Sequence, residues 1–221
     1  MKKTFITLLA LAGVAGADIT PLTVLNDTYG SVIGGQDGTH GGAITLNVTK
    51  ASGAINAASD YDTLTSLLTD SNKWYVGSGT YNVGGFSSNE EGVLLVAGGP
   101  TTPSASGAIK FSLSEATIAQ YEGPISLSFD VLLSGGNNQK NHTFTFTLMN
   151  SSWSASASYN SKEGTNLLST ENKTRVELTM NAEQVSAMQT VGGDHTFVLL
   201  AATNDVTGSN RGVLMNNFHL I

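Results

Sequence analysis

Residues 125–131 read Ile-Ser-Leu-Ser-Phe-Asp-Val, apolar and polar by strict turns. Thr143-Phe144-Thr145-Phe146-Thr147-Leu148 repeats the pattern. A period of two turns alternate side chains to opposite faces of a strand, and one dry face with one wet face belongs to an antiparallel sheet. Gly-Gly doublets at 34–35, 41–42, 84–85, 98–99, 135–136 and 192–193 punctuate the chain between such runs. Each predicts a turn, because glycine reaches positive φ at little cost. Strands are expected near 19–25, 43–49, 73–76, 80–83, 92–97, 108–113, 125–134, 142–150, 152–159, 174–180, 195–202 and 212–220. Gly92–Val96 and Phe197–Leu200 are apolar throughout and predict strands buried on both faces. The expected fold is all-β: an antiparallel β-sandwich with two or three short helices at its connections.

Those helices carry start signals. Ser59 is the expected cap of the first, with Asp62 three residues on and Tyr61, Leu64, Leu67 and Leu68 along one face. Ser114 opens the second, ahead of Ile118 and Tyr121. Asn181 opens the third, with Gln184 at the capping-box position and Val185 and Met188 facing inward.

A strand–helix–strand unit occurs twice. Ile109–Ser114 aligns with Val176–Asn181 at an offset of 67, and Val131-Leu132-Leu133 then aligns with Val198-Leu199-Leu200. The matched residues are generic apolar types. They favour one local solution used twice to cross between two sheets over a duplicated module.

The start of the chain bears on compartment. Met1-Lys2-Lys3 is followed by an apolar stretch over Phe5–Ala12, too short to span a bilayer as a helix, and then by small residues at Ala15-Gly16-Ala17. This is the pattern of a secretory signal peptide over 1–17, cleaved before Asp18. It leaves 204 residues, enough for one sandwich domain over 18–221 with a sizeable core. The expected location is secreted, extracellular or periplasmic. Lys2 and Lys3 leave with the signal and no acidic residue does, so the formal net charge of −7 becomes −9. An acidic surface repels phosphate, so neither nucleic acid nor an anionic membrane is an expected partner. The chain has no cysteine, which excludes disulfides, thiolate catalysis and Cys-ligated zinc.

The closing segment, Val213-Leu214-Met215-Asn216-Asn217-Phe218-His219-Leu220, resembles the last strand of secreted jelly-roll modules of the concanavalin-like, carbohydrate-binding kind. Those modules often end in apolar residues, then Asp-Asn, then an apolar alternation. The Ser/Thr/Gly/Asn-rich strands are similar in composition. The resemblance implies a jelly-roll-like sandwich and a glycan partner. It also implies an Asp that helps hold a structural calcium, and here Asn216 takes that position. No structural metal and no cofactor is expected.

Chemical motifs are sparse. Glycosidases need two carboxylates flanking the scissile bond. Asp130 stands alone on its strand face, and Glu90-Glu91 reads as a loop whose side chains point apart. His40, His142, His195 and His219 form no His-x-His or His-Glu-x-x-His pattern. The segment Gly34–Gly42 matches no phosphate-binding spacing and offers Asp37 as its single carboxylate. No Gly-x-Ser-x-Gly elbow occurs, and no catalytic residue is assigned.

Aromatic residues remain. Sugar rings present C–H faces that stack on Trp and Tyr while amides, carboxylates and hydroxyls read their OH groups. In Trp153-Ser-Ala-Ser-Ala-Ser-Tyr159, Trp153, Ala155, Ala157 and Tyr159 share one strand face. On the surface they would form a shallow trough of roughly 20 Å, at about 3.4 Å per residue. In the core, the alanines would lie under Phe144 and Phe146. Trp74-Tyr75 is the second aromatic feature, and Tyr75 is the expected exposed ring if Trp74 packs inward with Val76. The candidate ligand-binding residues are therefore Trp153, Tyr159 and Tyr75. The expected function is non-catalytic carbohydrate binding at a cell surface or in extracellular matrix. Two alternatives stand beside it: a structural or assembly surface protein with no small ligand, and a small outer-membrane β-barrel.

Overall fold

The computed structural model describes residues 22–23, 55–71, 74–78, 80–87, 90–97, 104–134, 140–207 and 211–220. The signal segment 1–17, the strand expected over 43–49, the glycine-rich segment 34–42 and His40 lie outside the described residues. Of the strand expected over 19–25, residues 22–23 are described.

The strands are β1 (Leu22–Thr23), β2 (Trp74–Ser78), β3 (Thr80–Ser87), β4 (Glu90–Ala97), β5 (Ser106–Leu113), β6 (Ile125–Ser134), β7 (Thr143–Met149), β8 (Ser154–Asn160), β9 (Thr174–Met180), β10 (His195–Thr203) and β11 (Arg211–Leu220). The helices are α1 (Tyr61–Leu67), α2 (Glu115–Ile118) and α3 (Ala182–Val191). One sheet has the order β3-β4-β11-β6-β9, with β1 also on β11, and the other β2-β5-β10-β7-β8. All the pairings between these strands are antiparallel.

The order follows from a single folding path. β7 pairs with β8, β6 with β9, β5 with β10 and β4 with β11. From β4 to β11 the chain is thus one long antiparallel hairpin, its tip between β7 and β8. Each arm changes sheet as it runs, so the hairpin wraps into two layers. That is a jelly roll. The two similar units are corners of this hairpin: β5–α2–β6 on one arm, β9–α3–β10 on the other. They cross between the sheets in opposite directions, and α2 and α3 touch. Gln189 on α3 donates from Nε2 to the carbonyls of Ile118 and Tyr121, at 3.1 and 2.8 Å.

The alternating strands put their apolar residues between the layers. Ile125, Leu127, Phe129 and Val131 of β6 and Phe144, Phe146 and Leu148 of β7 are buried in one cluster. Phe129 meets Phe146 edge-on at 5.3 Å and stacks on Phe218 at 5.0 Å. Each such ring contributes about 1.5–3 kcal/mol relative to exposure. The inward-facing cluster is the sandwich arrangement; a membrane barrel would turn its apolar band outward. No helix among the described residues is long and apolar enough to cross a membrane.

β10 is buried on both faces, as its apolar run predicts. Phe197, Leu199 and Ala201 join the central cluster, while Val198 and Leu200 face the other way. The second face is dry because α1 lies over it. Leu64 and Leu68 pack there with Ile55, Ala108 and Met149, and Tyr61 and Leu67 pack at the rim.

Four local expectations are corrected. The cap of α1 is Asp60, whose Oδ1 accepts from Thr63 N at 2.8 Å; Ser59 Oγ accepts from Asn56 N in the preceding turn. Gly84-Gly85 lies inside β3, paired with Gly92 and Glu91, because strand pairing continues through it to an irregularity before Ser87. Glu90 and Glu91 open β4. Both rings of Trp74-Tyr75 are buried, as detailed below. The other two caps are as predicted: Ser114 accepts from Thr117 N, and Asn181 and Gln184 close a full capping box. Gly192 and Gly193, at φ 69° and 76°, make the predicted turn after α3.

Candidate functional site

Asn150 closes β7 and begins the hairpin tip. Its side-chain Oδ1 accepts from the backbone N–H of Ser152 at 2.8 Å and of Trp153 at 3.0 Å. Its own N–H donates to the Trp153 carbonyl at 3.1 Å. Such a side-chain-mediated turn is a habit of Asn. Here it fixes where Trp153 stands. The indole lies against the core, 6.2 Å from Phe197, with part of the side chain exposed. Its Nε1 is buried without a hydrogen-bond partner among the described residues, so what the side chain exposes is hydrocarbon.

Trp153 and Asn150 stand between two depressions. The first, about 470 Å³, separates the hairpin tip from α3 and is also lined by Glu183, Gln184, Met188, Val191, Asp194 and His195. The second, about 420 Å³, lies between the outer face of β7–β8 and the start of α1, against Asp60, Tyr61, Thr147, Ser154 and Ser156. The capping box of α3 sets Glu183 in the first turn of that helix, facing solvent. Met188 ties the wall to the tip: Asn150 Nδ2 donates to its Sδ at 3.4 Å, and His195 Nε2 lies 3.1 Å from its carbonyl. Val191 closes the rim, 79% exposed, an apolar side chain held in water. Asp194 Oδ1 accepts from Glu115 N at 3.2 Å, which holds the α3–β10 turn to α2.

Asn150 is the polar anchor. It is 6% exposed, and its amide hydrogens find only a thioether among the described residues. A thioether is a weak acceptor. The cleft therefore combines an aromatic hydrocarbon face, an under-used buried amide, carboxylates and an exposed aliphatic. That set can stack on one face of a polyol ring and bond its hydroxyls. Its two carboxylates, Glu183 and Asp194, are both exposed.

The other two predicted residues fall elsewhere. Tyr159 shares the inward face with Ala155 and Ala157, paired with Phe144, Leu148 and Phe146 of β7. Its ring is partly buried and lies 6.2 Å from Phe146. Burial, and then the charge of Glu177, push its hydroxyl pKa up. The four-residue face at 153, 155, 157 and 159 thus lies against the core rather than open as a trough. The serines face out, in pairs: Thr145 with Ser158 and Thr147 with Ser156, both at 2.8 Å.

Tyr75 is 8% exposed, in the cluster under α1. Its hydroxyl accepts from Asp70 N at 2.8 Å and bonds Thr69 Oγ1 at 3.0 Å. Trp74 is fully buried in the central cluster, tilted against Phe218. Neighbours on a strand do face opposite ways, as predicted. The helix over the outer face removes the exposed ring.

Sequence reading missed Asn150, Tyr61, Glu183 and Asp194. The capping box marked where Glu183 sits on α3, but nothing in the sequence placed α3 beside the 150–153 turn.

No family model and no curated protein matches the sequence. Among solved structures, the chain is similar to the module TmCBM61 in complex with β-1,4-galactotriose, at TM-score 0.40 and 9% identity over 67% of this chain and 87% of that one. It is similar to the CBM22-1 xylan-binding domain of Paenibacillus barcinonensis Xyn10C, at TM-score 0.37 and 10% identity over 66% and 83%. It is also similar to part of the enzymatically active domain of bacteriophage CBA120 tailspike protein 4, at TM-score 0.39 and 12% identity over 66% of this chain and 19% of that one. Two of these three are carbohydrate-binding modules.

Proposed function

We propose that the chain is an exported, non-catalytic module of one sandwich domain over 18–221, which binds carbohydrate through the cleft beside Trp153. One observation carries this reading. Trp153 exposes hydrocarbon between two depressions, next to a buried Asn150 amide with no strong acceptor. A glycan laid across the ring would cover the apolar surface of Trp153 and Val191 and give the Asn150 amide a hydroxyl acceptor. Such sites are concave, mostly apolar, and use few polar groups. Export is supported by the pattern over residues 1–17.

The test is a glycan array on the mature chain, followed by calorimetric titration of each hit against wild type and Trp153→Ala. Binding that disappears with the indole supports the reading. A folded wild-type chain that binds nothing on the array defeats it.

The assembly reading draws on a different observation, the outer face of β7–β8 with its hydroxyl pairs. It requires self-association or a protein partner on that face, and sedimentation with Ser156→Lys against wild type tests it.

A further inference from the structure

The charge of the cleft narrows the ligand class, and this step rests on the glycan-binding reading above. Glu183 and Asp194 line the cleft, and Asp60 lines the adjoining depression. Among the described residues no Lys or Arg lines either one. His195 is the lining group that could carry positive charge, and its ring is turned toward the Met188 carbonyl. The Asp60 carboxyl is held below its usual pKa by its hydrogen bonds from Thr63, so it stays ionised. The lining carboxylates therefore face no Lys or Arg at the Trp153 cleft, in a concavity where field lines concentrate.

We infer that the cleft selects an amine-bearing glycan of the glucosamine type, held by its ring face on Trp153 and by its ammonium groups on Glu183 and Asp194, and that it rejects uronate and sulfated glycans. A neutral sugar would use the same carboxylates as hydroxyl acceptors. An ammonium adds charge attraction to that hydrogen bond, whereas a uronate carboxylate meets like charge and no Lys or Arg.

The probes are β-1,4-glucosamine oligomer, its fully N-acetylated counterpart and oligogalacturonate of equal length. They are titrated into the mature chain at a pH where the amine is protonated. The amine form is expected to bind about tenfold tighter than the acetylated form at low ionic strength. Added salt should narrow that ratio, because the carboxylates are exposed. Galacturonate should not bind. The double variant E183Q/D194N should weaken binding of the amine form far more than that of the acetylated oligomer, so that the two affinities converge. Asn at 194 still offers an oxygen to Glu115 N–H, so the fold is expected to hold. A second double variant, E163Q/E171Q, loses the same charge away from the cleft and should keep the preference. Equal binding of the amine and acetylated forms, binding of galacturonate, or equal effects of the two double variants would overturn the inference. Binding of neutral glycans without amine preference overturns this inference alone. Failure of every glycan overturns it together with the proposed function.

Discussion

The indole of Trp153 sits 6.2 Å from the ring of Phe197, with the two planes at 53°. Phe197 is fully buried in the central strand β10, so this contact anchors the cleft wall to the core. Trp153 is at once a packing residue and a surface one, and a substitution there acts on both. Trp153→Ala is expected to cost about 2–3 kcal/mol, short of the 3–5 kcal/mol of a fully buried aromatic, and to abolish glycan binding. Trp153→Phe keeps a ring against Phe197 and deletes the unpartnered N–H. It should cost roughly 1 kcal/mol or less and keep part of the binding. Urea denaturation and titration on the same samples separate the two effects. Wild-type affinity in the alanine variant would remove Trp153 from the site.

Tyr75 should behave oppositely. Its hydroxyl accepts from the Asp70 N–H and bonds Thr69, beneath α1. Tyr75→Phe leaves both partners short of one bond and is expected to cost about 1–2 kcal/mol. Glycan affinity should be unchanged, because the ring lines neither depression. A stable variant with weakened binding would return Tyr75 to the site.

Asn217 separates backbone from side chain. It sits at φ 56°, where the pairing of β11 with β6 is irregular between Asn216 and His219. Its Nδ2 donates to Asp130 Oδ2 at 2.9 Å, and its Oδ1 lies 2.6 Å from His219 Nε2. Arg175 completes the cluster by donating to Asp130 Oδ1 and to the Asn217 carbonyl. Asn217→Gly loses the side-chain bonds and relaxes the left-handed backbone. Asn217→Ala loses the bonds and keeps the strain. The alanine variant should therefore be less stable than the glycine variant by about 1 kcal/mol. Equal melting temperatures would show that the backbone conformation there carries no cost.

Export makes a prediction of its own. Mass spectrometry of the exported protein should give Asp18 as the first residue. Retention of Met1 on protein recovered outside the cytoplasm would remove the signal-peptide reading.

With Asn216 where the resembled modules carry a carboxylate, the fold is expected to stand without a bound cation. The melting temperature should be the same with and without EDTA. A fall of several degrees on chelation would reveal a cation linked to folding.

What was legible in the sequence is local. The alternation over 125–131 and 143–148 fixed which side chains turn inward, because strand geometry allows only two faces. The uniformly apolar Phe197–Leu200 announced a strand covered on both sides. Asn181 with Gln184 announced a helix start, because an exposed backbone donor needs a nearby acceptor. The closing strand's resemblance reached the jelly-roll layout through pattern. Trp153 came forward as the ring to watch, with its strand face readable either as an open trough or as core, and it packs against the core.

The remainder depended on long-range pairing. α1 covers Tyr75, and no residue near Tyr75 in sequence says that a helix will lie over its face of the sheet. Asn150 and Trp153 meet Glu183 and Asp194 because the long hairpin brings its tip beside the corner between β9 and β10. The sequence therefore determined which side chains of an alternating segment share a face. Only the tertiary structure decided which segments share a cleft, since hydrophobic burial is satisfied by many pairings and is not directional, whereas a site needs one arrangement of particular side chains.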